Sequence, residues 1–268
     1  MLPHPPATER VEKNNLMSER STRGPVELLL ARHGESEGNV AATAASASGA
    51  EVIDIGLRDA DVPLTPTGRK QSTAFGRWLA ELPAGQRPDS VWCSPYLRAR
   101  QTADLALAEL PGRPEVGVDE RLRDRELGVL DLLTAVGVQS RFPAEAARRR
   151  WLGKFYYRPP GGESWADVAL RLRSFLADLD DWEPGRRVLV VAHDAVILMF
   201  RYVCEHLSED ELLEIAVSNT VTNASATQLL RPSGRGLWKA EAFNMVDHLR
   251  ELGAPVTVHS GDADVLPH

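Results

Sequence analysis

Two apolar runs, each ending in a histidine, constrain this chain more than any other feature. Val26-Glu27-Leu28-Leu29-Leu30-Ala31 leads into Arg32-His33-Gly34-Glu35, and Val188-Leu189-Val190-Val191-Ala192 leads into His193-Asp194. Short runs this rich in Val and Leu read as strands buried on both faces, as in a sheet covered by helices on its two sides. Each run delivers its histidine to a strand's carboxyl end, the edge at which open α/β sheets bind ligands. Gly34 and Gly38 would let the backbone approach an anion closely there. One histidine after a strand is ordinarily a packing residue, but two at equivalent positions point to a shared site.

The segments between supply helices and a closing hairpin. Thr65-Pro66-Thr67-Gly68 marks a helix start, with Thr65 as N-cap and Pro66 at the first helical position, and the helix is expected to reach about Leu82. Ser90-Val91-Trp92-Cys93 reads as a further strand. Ser94-Pro95 then opens a helix over 95–110 with Arg98 in its first turn, where unpaired amides and the dipole favour anions. Ser164 and Asp167 form a capping box ahead of Val168, Leu172, Phe175, Leu176 and Leu179, one apolar face at helical spacing. A helix over 195–207 follows His193. The stretches 223–231 and 237–244, joined by Pro232-Ser233-Gly234-Arg235-Gly236, read as a hairpin. The stretch 40–61 shows no clean period and reads as an excursion near the site. Trp151, Phe155, Tyr156 and Tyr157 lie between core elements, among basic residues and ahead of Pro159-Pro160-Gly161-Gly162, so 128–162 is expected to act as a lid.

Composition narrows the partners. With a net charge of -7, the chain has no nucleic-acid surface and no polybasic membrane patch to offer, so arginines that bind an anion must be gathered locally. Cys93 and Cys204 each lie in an apolar run, as reduced core thiols of a cytoplasmic protein do. Residues 1–24 lack the apolar segment of a secretory signal and are expected to be a disordered leader, with Met17 as an alternative start. Residues 25–252 form the expected catalytic domain, and 253–268 a mobile tail. The run 188–200 is too short, and with His193 and Asp194 too polar, to span a bilayer. No closely spaced His/Cys set of zinc type and no calcium loop occurs, so no metal and no cofactor are expected.

Arg32, His33, Arg98, His193 and one carboxylate from Arg121-Leu122-Arg123-Asp124-Arg125-Glu126-Leu127-Gly128 would make a phosphoryl-transfer site at one sheet edge. A neutral imidazole is a competent nucleophile if one ring nitrogen is pinned by an acceptor, such as a backbone carbonyl, and the other is free. Guanidinium groups match phosphate oxygens bidentately. His193, if protonated, would be a further donor. A carboxylic acid beside a dianionic phosphate has its pKa raised and can protonate the leaving oxygen.

These residues also carry a resemblance. Arg32-His33-Gly34-Glu35-Ser36-Glu37-Gly38-Asn39 resembles the signature of the histidine phosphatase superfamily, in its phosphoglycerate mutase-like branch. Pro63-Leu64-Thr65-Pro66-Thr67-Gly68-Arg69-Lys70-Gln71, Ser94-Pro95-Tyr96-Leu97-Arg98-Ala99-Arg100-Gln101-Thr102, Gly161-Gly162-Glu163-Ser164, the strand ending in His193, and Asn223-Ala224-Ser225-Ala226-Thr227 follow in that family's order. The resemblance implies a three-layer α/β/α sandwich with a mostly parallel central sheet. It implies His33 as the residue transiently phosphorylated, with Arg32, Arg98, His193 and Asn39 as the phosphate pocket. The family's general acid is normally Glu; Asp124 stands in its place, with Glu126 nearest to it. Asp194 is a second departure, since Gly is commoner after the second histidine, and in the acid phosphatase branch a His-Asp pair supplies the acid. The expected activity is hydrolysis of a small-molecule or protein phosphomonoester, with a mutase or a non-catalytic phospholigand-binding protein as the alternatives.

Overall fold

The computed structural model describes residues 24–259. The expected leader up to residue 23, the alternative start at Met17 and the tail from 260 onward lie outside the described residues. Six strands form one sheet: β1 (Glu27–Arg32), β2 (Ser90–Cys93), β3 (Val116–Val118), β4 (Arg187–Ala192), β5 (Ala226–Leu230) and β6 (Lys239–Met245). Their order is β3-β2-β4-β1-β5-β6. Neighbours from β3 to β1 run parallel, whereas β5 is antiparallel to β1 and β6 to β5. The sheet is therefore mostly parallel, with the expected hairpin closing one edge.

Strand alternation builds the layers. Leu28, Leu30, Val188 and Val190 face one core, with α6 (Trp165–Trp182), α7 (Asp194–Glu205) and α8 (Glu209–Ser218) packed over them. Leu29, Ala31, Leu189 and Val191 face the other core, covered by α2 (Pro66–Glu81) and α3 (Leu97–Leu107). A period of two sends successive side chains to opposite faces, so a strand buried on both must be apolar throughout. That is why these strands stood out in the sequence, and it gives the three-layer sandwich.

The capping signals hold. Thr65 Oγ1 accepts the Gly68 amide at 3.0 Å. Ser164 accepts the Asp167 amide, and Asp167 reaches back to the Ser164 amide at 2.8 Å. Two expectations need correction. The helix after β2 starts at Leu97 rather than 95, with Ser94 Oγ accepting the Tyr96 amide ahead of it. The stretch 40–61 is not irregular throughout: α1 (Glu37–Ser48) fills its first half, with Ser36 as N-cap and Asn39 completing a capping box. Its sole buried residue is Ala45, so an Ala-rich segment became helical by propensity and capping without the apolar stripe that makes a period visible.

The segment after β3 is built of short pieces: 3-10 turns, α4 (Ala135–Arg141) and α5 (Pro143–Tyr156), with a break at Gly153 where φ is +74°. α9 (Asp247–Glu251) ends the regular structure. The stretch 253–259, assigned from sequence to a mobile tail, lies against the sheet edge. Gln71 donates to the Pro255 carbonyl at 2.9 Å, and the Asn223 amide donates to that of Thr257.

Candidate active site

Parallel register brings the two histidines together. Arg32 pairs with Ala192 across β1 and β4, so His33 and His193 both stand one residue beyond the pair. Their ring centroids are 5.2 Å apart. β2 lies on the other side of β4 and places Ser94 at the same edge. Both histidines, Arg32 and Arg98 are almost fully buried.

His33 Nδ1 lies 2.7 Å from the Gly34 carbonyl oxygen, which can only accept, so Nδ1 carries the proton and Nε2 keeps its lone pair. Burial pushes the His33 pKa well below its ordinary value, and Arg98, His193 and Arg32 push it in the same direction. The imidazole is held neutral, the state a nucleophile needs. Burial likewise lowers His193, aided by Arg98, Arg171 and Arg32. The donor role conditional on a protonated His193 is therefore disfavoured by its surroundings. His193 Nε2 lies 2.8 Å from Ser94 Oγ, one of whose two lone pairs receives the Tyr96 amide. The serine hydroxyl can then donate to Nε2, leaving the ring proton on Nδ1. That nitrogen is 3.2 Å from Asp124 Oδ2 but is not aligned for a hydrogen bond, and it has no other partner.

Arg32 donates through Nη1 to the carbonyls of Val221 and, at 3.0 Å, His259, while its buried Nε has no partner. Arg32 Nε, a buried donor without an acceptor, and His193 Nδ1, a buried ring nitrogen without a hydrogen-bond partner, thus belong to the two residues flanking His33 in sequence and across the strand pair. Buried donors are rarely left unpaired, and oxygens of a tetrahedral anion would satisfy them. Arg98 donates through Nη2 to Asp124 Oδ2 at 2.9 Å and through both terminal nitrogens to Asp59. Asn39 lines the same cleft, but its Oδ1 is committed to the Ser36 amide and to Asn223 Nδ2, so its Nδ2 is what it can offer a ligand.

The three carboxylates considered as proton donors differ in placement. Asp124 lies against both Arg98 and His193. Glu126 lines the same cleft and accepts the Tyr96 hydroxyl at 2.8 Å. Asp194 is the first residue of α7 and accepts the Ala195 amide at 2.8 Å, and its other oxygen is 3.9 Å from Arg32 Nη2. The cleft has a volume of about 410 Å³; Leu130, Val138, Arg149 and Tyr157 of the expected lid segment form part of its wall.

Gly34 serves packing rather than an anion, while Gly38 lines the cleft. A Cβ on Gly34 would come within 2.5 Å of the Gly68 carbonyl oxygen, so the loop after β1 is pressed onto the start of α2. The Gly34 amide is taken by Thr102 Oγ1 at 3.0 Å. Sequence reasoning missed Asp59, which sits in the aperiodic half of 40–61 and gave no signal. It read Ser94 only as a helix cap, although Ser94 ends β2 just as the histidines end β1 and β4.

Buried polar groups able to meet a tetrahedral anion, an imidazole with a free nitrogen and an adjacent carboxylate stand together at the carboxyl edge of a parallel sheet, an arrangement capable of phosphoryl transfer. The chain belongs to the histidine phosphatase superfamily (branch 1), whose family model matches residues 28–244. It is 33% identical over 165 residues to 2,3-bisphosphoglycerate-dependent phosphoglycerate mutase 2 of Gloeobacter violaceus, covering 60% of this chain and 73% of that protein. It is 31% identical over 200 residues to a 6-phosphofructo-2-kinase/fructose-2,6-bisphosphatase of Caenorhabditis elegans, 74% of this chain but only 38% of that protein. Among solved structures, the native mycobacterial glucosyl-3-phosphoglycerate phosphatase superposes with a TM-score of 0.66 at 27% identity, over 82% of this chain and 99% of that one. Among the described residues no helix is long and apolar enough to cross a membrane.

Proposed function

We propose that this protein is a metal-independent phosphomonoester phosphatase acting through a phosphohistidine on His33. The observation that carries the reading is the His33 Nδ1 bond to the Gly34 carbonyl, which leaves Nε2 as a buried, neutral nucleophile. Nε2 attacks phosphorus, an N–P bond forms, and the P–O bond to the leaving group breaks. Asp124, at Arg98 and His193, supplies the proton to the departing oxygen. Water then attacks the phosphohistidine, giving its proton back to Asp124, and the N–P bond breaks to release inorganic phosphate. Arg32, Arg98, His193 and Asn39 hold the phosphoryl oxygens, and guanidinium charge offsets the charge that develops on them.

The segment 128–162 covers the leaving-group side as a lid. The substrate is a small phosphorylated molecule or a phosphoprotein. Buried, unpaired Cys93 and Cys204 support a cytoplasmic setting. The test is phosphate release from an aryl phosphate with chelator present, wild type against His33→Ala. Turnover by wild type alone is expected; equal turnover in both would contradict the reading. Similarity to a phosphoglycerate mutase keeps a mutase as the second reading, marked by dependence on a bisphosphorylated activator.

A further inference from the structure

Arg98 carries the positive charge nearest the acid, yet its four terminal donors are all in use. Nη1 donates to the Asp59 carbonyl at 2.6 Å and to Asp59 Oδ1 at 2.9 Å; Nη2 donates to Asp59 Oδ2 at 3.1 Å and to Asp124 Oδ2 at 2.9 Å. A guanidinium has four terminal N–H bonds, and these four contacts account for them. Two parallel bonds from one guanidinium to the two oxygens of Asp59 are the geometry by which arginine takes a phosphate. The partners are unequal in freedom. Arg98 is 4% exposed and fixed in the first turn of α3, whereas the Asp59 side chain keeps 41% of its surface on a short 3-10 turn, Asp59–Asp61. Rotation of the Asp59 side chain frees two Arg98 donors without moving the arginine.

We infer that Asp59 sets the anion affinity of this site: its carboxylate occupies the Arg98 fork in place of a phosphoryl group, and substrate must displace it. This rests on the phosphate pocket of the proposed phosphatase. The residue belongs to the stretch between the Arg32-His33 loop and α2, so the competitor is supplied from outside the strand-end motifs that build the pocket. Displacement places the carboxylate in the same cleft, among Asp124 and Asp131, and away from the arginine that neutralised it.

The groups facing Asp59 fix the sign of a pH effect. Arg98 comes from α3, Tyr96 from just before it, Asp124 and Asp131 from the segment after β3, and Arg58 and Asp61 from its own turn. Desolvation raises the Asp59 pKa, Arg98 opposes the rise, and Asp124 adds to it. As pH falls through that raised value, Asp59 is neutralised and its grip on Arg98 weakens, so anion binding gains an increment that a variant without the carboxylate lacks.

Calorimetric titration of inorganic phosphate into wild type, Asp59→Asn and Asp59→Ser at pH 5 to 8 tests this. The ionisation of phosphate is common to all three proteins and cancels in the ratio of their dissociation constants. Both variants are expected to bind about tenfold tighter than wild type at pH 8, where the Asp59 carboxylate is ionised. Equal or weaker binding by the variants, with phosphate still bound by wild type, would overturn the role of Asp59 and leave the phosphatase reading standing. Absence of phosphate binding in all three would overturn both.

Discussion

A histidine buried among arginines is pushed toward its neutral form, and in the proposed mechanism that form of His33 is the nucleophile. Because burial, Arg98, His193 and Arg32 all lower its pKa, the neutral nucleophile persists as pH falls below the ordinary histidine value of about 6.5. The acid limb of kcat/KM is therefore expected below that value, and a pH-rate profile with an acid limb at or above it would contradict the assignment. The same shift has a stability consequence. Between the lowered folded pKa values of His33 and His193 and about 6.5, the unfolded chain binds more protons than the folded one. Stability should fall as pH drops below about 6.5, read as a falling urea midpoint at unchanged slope. For the acid, Asp124→Asn is expected to lower kcat by about 10²- to 10⁴-fold on alkyl phosphates and far less on nitrophenyl phosphate. Asp194→Asn should leave that leaving-group dependence unchanged; the reverse pattern would move the acid to Asp194.

At the scale of elements, the site depends on how closely α2 and α3 approach beneath it. A Cβ on Gly76 of α2 would come within 2.2 Å of the Ala106 carbonyl oxygen of α3, a backbone atom that cannot turn aside. Gly76→Ala is therefore expected to cost about 1–3 kcal/mol despite its better helix propensity, measured by denaturant unfolding. Elements with an apolar stripe or a capping signal were legible in the sequence. β1, β2, β4 and α6 carried both burial pattern and punctuation, and they appear within a few residues of expectation. α1 was not legible, because its exposed Ala and Ser faces carry no period, and β3 has too few residues to register one. The site divided along the same line. His33, His193, Arg32 and Arg98 lie at the ends of patterned elements and could be placed together by topology, whereas Asp59 reaches Arg98 from a turn whose path only long-range packing decides.

At the scale of the whole molecule, the chain closes on itself at the sheet edge that bears the site. Thr257 Oγ1 accepts from Gln71 at 2.8 Å, and His259 Nε2 lies 3.1 Å from Glu35 Oε2 while its carbonyl takes an Arg32 donor. Ending the chain after Ala254 removes these bonds from both α2 and the proposed phosphate pocket. The truncated protein is expected to melt several degrees lower and to show a raised KM; unchanged values for both would mean that 255–259 contributes nothing. The proposed mechanism stands on a covalent intermediate at one nitrogen of one residue. The most direct measurement is a single-turnover reaction with a ³²P-labelled aryl phosphate, quenched in alkali and digested for peptide mapping. Acid-labile, alkali-stable label on the peptide containing His33, absent from His33→Ala, is the expected result. Full phosphate release with no label on that peptide at any time in the turnover would contradict the mechanism.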